Sequence, residues 1–96
     1  MNTNELINYF EKKYNKKIND FNFIEWIEIS RFKYLSKEFI EKFENKIDWG
    51  WISSYQNLTE EFIEKYKNKV DWYYISRFQK LTEDFIEKYQ NELHWP

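Results

Sequence analysis

The sequence predicts an all-α fold of short tandem helix-turn-helix repeats, stacked as a small α-solenoid or a compact helical bundle. Trp26, Trp49, Trp72 and Trp95 recur every 23 residues, and Ile29, Ile52 and Ile75 follow the first three in the same rhythm. Ser36, Thr59 and Thr82 recur with that period too, each with an acid within the next two residues and an apolar pair after it. A chain of 96 residues has room for one domain, which buries roughly two thirds of the surface its unfolded form exposes. Five Trp, eight Tyr and nine Phe supply its core, because each buried aromatic removes about 150 to 250 Å² from water.

Residues 1–34 read as a degenerate first unit. TNELINYF at Thr3 to Phe10 and IEWIEISRF at Ile24 to Phe32 match the ends of a repeat, with about ten additional residues between them. Leu6, Phe10, Tyr14 and Ile18 continue at i+4 spacing, which predicts a longer, Lys-rich first helix running through the addition and covering one end of the stack. Residues 35–57 and 58–80 are full repeats, and 81–96 a truncated one that stops at His94-Trp95-Pro96, within a single helical repeat domain 1–96. In each repeat a hydroxyl caps helix A, and the pairs Leu35 with Ile40, Leu58 with Ile63 and Leu81 with Ile86 are placed as hydrophobic staples. Phe62, Ile63 and Tyr66 share an apolar face, while Glu38 with Lys42, Glu61 with Lys65 and Asp84 with Lys88 are spaced as i, i+4 pairs on the solvated side. Asn68 and Lys69 break that pattern, and Asp71 caps helix B from Trp72 to about Gln79. Helices of roughly seven to nine residues span only about 10 to 14 Å and are marginal alone, so packing between units must stabilise them.

The repeat signature L-[ST]-x-[ED]-F-I-E-K-[YF]-x-N-K-[VI]-D-W-x-x-I-S resembles short tandem repeats in proteins of phages, giant viruses and AT-rich bacteria. The resemblance covers Leu35 to Pro96. It implies a helical repeat architecture and a viral or mobile-element context, and it carries no assigned chemistry. The composition agrees with an AT-rich source: there is no Ala, a single Gly and Pro, and Arg only at Arg31 and Arg77.

Most classes of chemistry lack their residues. Cys is absent and His94 is the single histidine, so neither a thiolate metal site nor a His-based triad assembles within one chain, and no cofactor is expected. His94 occupies the repeat position of Asp48 and Asp71, which reads as a degenerate helix cap. Gly50 is the only glycine, so there is no phosphate-cradling loop. Glu41, Glu64 and Glu87 recur beside Lys42, Lys65 and Lys88, as a solvated helix face is built. Ser30, Ser53 and Ser76 follow the tryptophans by four residues, where a small side chain lets helices approach. The strict recurrence of the tryptophans reads as an inter-helix core ladder. A net charge of −2 with interleaved Lys and Glu argues against nucleic acid, and no apolar run approaches the roughly 20 residues that span a bilayer. An enzyme is not expected. The expected setting is the cytoplasm, that of the host cell for a phage or viral protein.

Function in a repeat protein resides where the units differ, because the recurring positions are occupied with folding. The two positions after each tryptophan read Ile27-Glu28, Gly50-Trp51 and Tyr73-Tyr74, and the next variable position reads Arg31, Ser54 and Arg77. Trp, Tyr and Arg are the residue types enriched at binding hot spots. Trp51, Tyr73, Tyr74, Arg77 and Arg31 are therefore the candidate partner-binding residues. The leading expectation is a protein-binding module, a phage or viral counter-defence factor that inhibits a host effector by occlusion. Two alternatives stand beside it: a single-strand nucleic-acid binder that stacks bases on the exposed aromatics, and a self-associating structural module that forms a homodimer through its C-terminal end.

Overall fold

The computed structural model describes residues 1–93, and among them the fold is all-helical, with seven α-helices and no strand. His94 and Trp95, read above as cap and ladder residues, lie outside the described residues. The chain divides into two compact units, Met1–Asp48 and Trp49–Pro96.

In the first unit, α1 (Thr3–Tyr14), a 3-10 turn (Ile18–Asp20), α2 (Phe23–Ser30) and α3 (Lys37–Lys42) follow one another. Asn2 and Asn22 open α1 and α2 with complete capping boxes, each side chain accepting the N–H of the glutamate three residues on while that glutamate accepts back. The i+4 run predicted one helix through Ile18, but α1 ends at Tyr14. Asn15 there takes the left-handed conformation, φ 52° and ψ 45°, and its N–H closes on Glu11 O. Asn is among the few residues other than Gly that tolerate this region, so the chain turns and Ile18 enters the 3-10 turn instead. The core is a run of rings: Phe10 meets Phe32 and Phe39 at 5.3 and 6.0 Å, and Phe21 and Phe43 flank Trp26 at 5.8 and 5.3 Å.

The second unit holds α4 (Trp49–Tyr55), α5 (Glu60–Lys65), α6 (Trp72–Phe78) and α7 (Glu83–Lys88), with α4 packed on α6. The caps fall where the repeat places them. Ser36, Thr59 and Thr82 accept the N–H groups of Phe39, Phe62 and Phe85 at 3.1 to 3.2 Å, and Asp71 accepts that of Tyr73 at 3.1 Å. Helix A is shorter than its pattern suggested. In α5 it stops at Lys65, because Tyr66 O receives both Lys69 N and Val70 N and the chain tightens into a turn before Asn68. Trp49 lies against Phe62 and Tyr66 at 6.2 and 5.2 Å, and Trp72 against Phe85 and Tyr89 at 6.4 and 5.2 Å. Each helix B tryptophan thus packs on the aromatic pair of the helix A that follows it. Ile52, Ile63 and Ile75 are fully buried.

The recurring serines are hydrogen-bonding centres as well as small residues. Ser30 Oγ donates to Trp26 O at 2.7 Å and accepts Asp48 N at 2.7 Å; Ser53 Oγ accepts Asp71 N at 3.0 Å. Both are fully buried, and each ties the last turn of one helix to the residue just before the next helix B.

Candidate functional site

Tyr73, Tyr74 and Arg77 come together on α6. One turn of helix separates Tyr73 from Arg77, so the guanidinium lies over the Tyr73 ring at 5.4 Å and also faces Phe78 at 5.9 Å. Tyr73 meets Tyr74 edge-on at 5.3 Å, and Tyr74 stacks on Phe78 at 6.2 Å. Tyr73 is 46% and Phe78 55% exposed, so the cluster presents ring faces around an arginine to solvent, while Tyr74 is half-buried. The helix beneath is held by Ile75, fully buried, and by Ser76 Oγ donating to Trp72 O at 2.6 Å.

Trp51 occupies on α4 the position that Tyr74 occupies on α6. It is half-buried and meets Tyr55, 48% exposed, edge-on at 5.2 Å. Arg31, exposed, follows α2 in the first unit as its C-terminal cap residue. The structure therefore groups three of the five candidate residues on one helix and places Trp51 on the helix packed against it. Phe78 joins the α6 cluster and Tyr55 pairs with Trp51, and the sequence singles out neither. Their signal was an aromatic six residues after each ladder tryptophan, four after Trp51 and Tyr74.

Polar contacts brace α6 and its neighbours. Gln79 Nε2 donates to Ser53 O and Gln56 O, both at 2.7 Å, and its Oε1 accepts Leu58 N at 3.1 Å, so one side chain fastens the turn that leaves α4. Glu60 accepts the N–H and the hydroxyl of Thr82 at 2.6 and 3.0 Å. Lys88, expected to pair with Asp84 along its own helix, instead forms an ion pair with Glu64 on α5, whose carboxylate also accepts Tyr89 OH at 2.9 Å. The Lys88 and Tyr89 hydrogen bonds hold the Glu64 carboxyl below the usual range, and Glu64 in turn raises Lys88. Burial and the bond to Glu64 push the Tyr89 phenol up.

In the first unit, Tyr14 OH donates to Glu28 at 2.9 Å, and Lys16 pairs with Glu25 at 3.1 Å. Burial, then the Glu28 bond and nearby carboxylates, push the Tyr14 phenol well above its ordinary value. The N–H of Asn22 and then Lys16 lower Glu25. Among the described residues no group of three or more His, Cys, Asp or Glu is placed to hold a metal ion, and no helix is long and apolar enough to cross a membrane. No protein-family model, curated protein or solved structure matches the chain.

Proposed function

We propose that this chain is a non-enzymatic protein-binding module, a stack of 23-residue helix pairs whose contact surface is the outer side of α6. The observation that carries the reading is the Arg77 guanidinium set between the exposed rings of Tyr73 and Phe78. Exposed aromatic faces gain free energy when a partner covers them, and an arginine already stacked on rings loses less side-chain freedom on binding than a free one. A carboxylate or backbone carbonyl of a partner meets the remaining guanidinium donors, while its apolar side chains cover the rings. Trp51 and Tyr55 on α4 extend the surface, and Arg31 belongs to the same reading as a second cationic contact. In biological terms, the repeat signature and AT-rich composition support a phage or viral accessory protein acting in the host cytoplasm, where it occludes a host effector.

Affinity capture from a cell lysate, with and without nuclease treatment, tests this with the wild-type chain and a Tyr73→Ala/Arg77→Ala variant of equal helicity. The expected result is a protein retained by the wild type and lost with the variant. Identical retention by both, or retention that disappears on nuclease treatment, contradicts the reading; the latter outcome points to single-stranded nucleic acid stacked on the same rings.

A further inference from the structure

We propose that the chain associates head to tail with a second copy of itself, the carboxylates of Glu83 and Glu87 on α7 seating on the lysine cluster that ends α1 of the next copy. The proposal is independent of the α6 surface. Its template is internal. On α5, two glutamates four residues apart reach outward to a neighbouring helix: Glu60 takes the N–H and hydroxyl of Thr82, and Glu64 takes the Lys88 ammonium and the Tyr89 hydroxyl. Glu83 and Glu87 are the same two positions 23 residues on, and both are exposed. Beside them Ile86 is half-buried, whereas its counterparts Ile40 and Ile63 are buried, so apolar surface accompanies the charge. By the chemistry of the template, this edge selects ammonium and hydroxyl donors.

The chain holds its densest ammonium cluster at Lys12, Lys13, Lys16 and Lys17, four lysines in six positions without an acid among them. The left-handed turn at Asn15 ends α1 there and leaves an open depression of about 390 Å³, lined by Glu11, Lys12, Asn15, Lys16 and Lys17. Its one carboxylate, Glu11, is engaged by the Ile18 N–H at 2.8 Å, and Lys16 is held by Glu25. Lys12 and Lys17 stand exposed at its rim and face an incoming carboxylate. The two surfaces differ, so the α7 carboxylates of one copy meet the α1 lysines of another and not its α7. Ion pairs at a surface are individually weak and are screened by salt, so the association belongs to low ionic strength.

Sedimentation velocity on the full chain, at about 20 mM and about 500 mM salt over a range of protein concentrations, reads the prediction directly. The sedimentation coefficient should rise with concentration at low salt and not at high salt. Lys12→Glu/Lys17→Glu and Glu83→Lys/Glu87→Lys, each checked for wild-type helicity, should each abolish the rise, and an equimolar mixture of the two should restore it, because the reversed surfaces then meet opposite charge. Where a double reversal unfolds the chain, Lys17→Glu and Glu87→Lys alone replace it. The Tyr73→Ala/Arg77→Ala variant should associate like the wild type. A single unchanging species at low salt, association that survives either reversal, a mixture that stays monomeric, or loss of association in the α6 variant would each overturn the proposal.

Discussion

Ser53 and Ser54 are adjacent, and only one of them matters to the fold. Ser53 Oγ accepts Asp71 N across 18 residues of chain and is fully buried, whereas Ser54 Oγ returns to the carbonyls of its own helix at Gly50 and Trp51. Ser53→Ala leaves a part-buried N–H without its acceptor and should cost about 1 to 3 kcal/mol, while Ser54→Ala should stay within about 0.5 kcal/mol; urea unfolding of the two variants checks the contrast. The sequence separates the two only by recurrence, Ser53 standing with Ser30 and Ser76 and Ser54 where the other units carry Arg31 and Arg77. The recurrence of Ser30, Ser53 and Ser76 signalled a constraint, but the acceptor role depends on the turn that brings residue i+18 back, which no local pattern encodes. Tyr14 offers a second residue-scale prediction. Its folded phenol is raised, so the neutral form favours the fold: the contribution is complete below the unfolded value of about 10 and is lost as pH rises through the higher folded value. Ultraviolet titration of the wild type against Tyr14→Phe should show one late-titrating phenol fewer in the variant, in which Tyr89, also raised, still titrates late.

At the scale of elements, helix starts were legible and helix ends were not. Ser36, Thr59 and Thr82 announce α3, α5 and α7, because a capping side chain acts within three residues of itself. The end of α1 is hidden in the sequence because Leu6, Phe10, Tyr14 and Ile18 keep helical spacing across the stop; the informative residue is Asn15, whose tolerance of positive φ outweighs the periodicity. Asn15→Gly should leave stability unchanged or slightly raised, and Asn15→Val should lower it by roughly 1 to 2 kcal/mol, as thermal unfolding will show. The i, i+4 expectation for Lys88 failed for a related reason: spacing identifies neighbours along one helix, and Glu64 competes from another. The Glu64–Lys88 clasp gives a signed pH dependence. Glu64 is lowered, so its contribution is present above the unfolded value of about 4.3 and is lost as pH falls through the folded one. Lys88 is raised, so its share is present below about 10.4 and is lost as pH rises beyond the folded value. The difference in melting temperature between wild type and Glu64→Gln should be level around neutrality and shrink below about pH 4.

For the molecule as a whole, the positions that recur hold the fold, and among those that vary is one that stays exposed at the surface of α6. Trp26, Trp49 and Trp72 pack on the aromatic residues of the following helix, and the variable pair after Trp72 places Tyr73 at the surface. The 23-residue rhythm exposed that division, since a position constrained by packing recurs and one that is not varies. It overlooked Phe78 and Tyr55 because those positions also recur as aromatics, and recurrence alone reads as core. The most direct measurement is chemical denaturation of Trp72→Ala, Tyr73→Ala and Arg77→Ala beside the wild type. Trp72 is half-buried but stacked on Tyr89 and Phe85, with its indole N–H donating to Lys67 O, so its truncation should cost about 3 kcal/mol, the low end for an aromatic core deletion. Tyr73→Ala and Arg77→Ala should stay within about 0.5 kcal/mol of the wild type. Losses for those two as large as for Trp72→Ala would contradict this division, because the α6 rings would then be part of the core rather than the solvent-facing surface on which the proposed function rests.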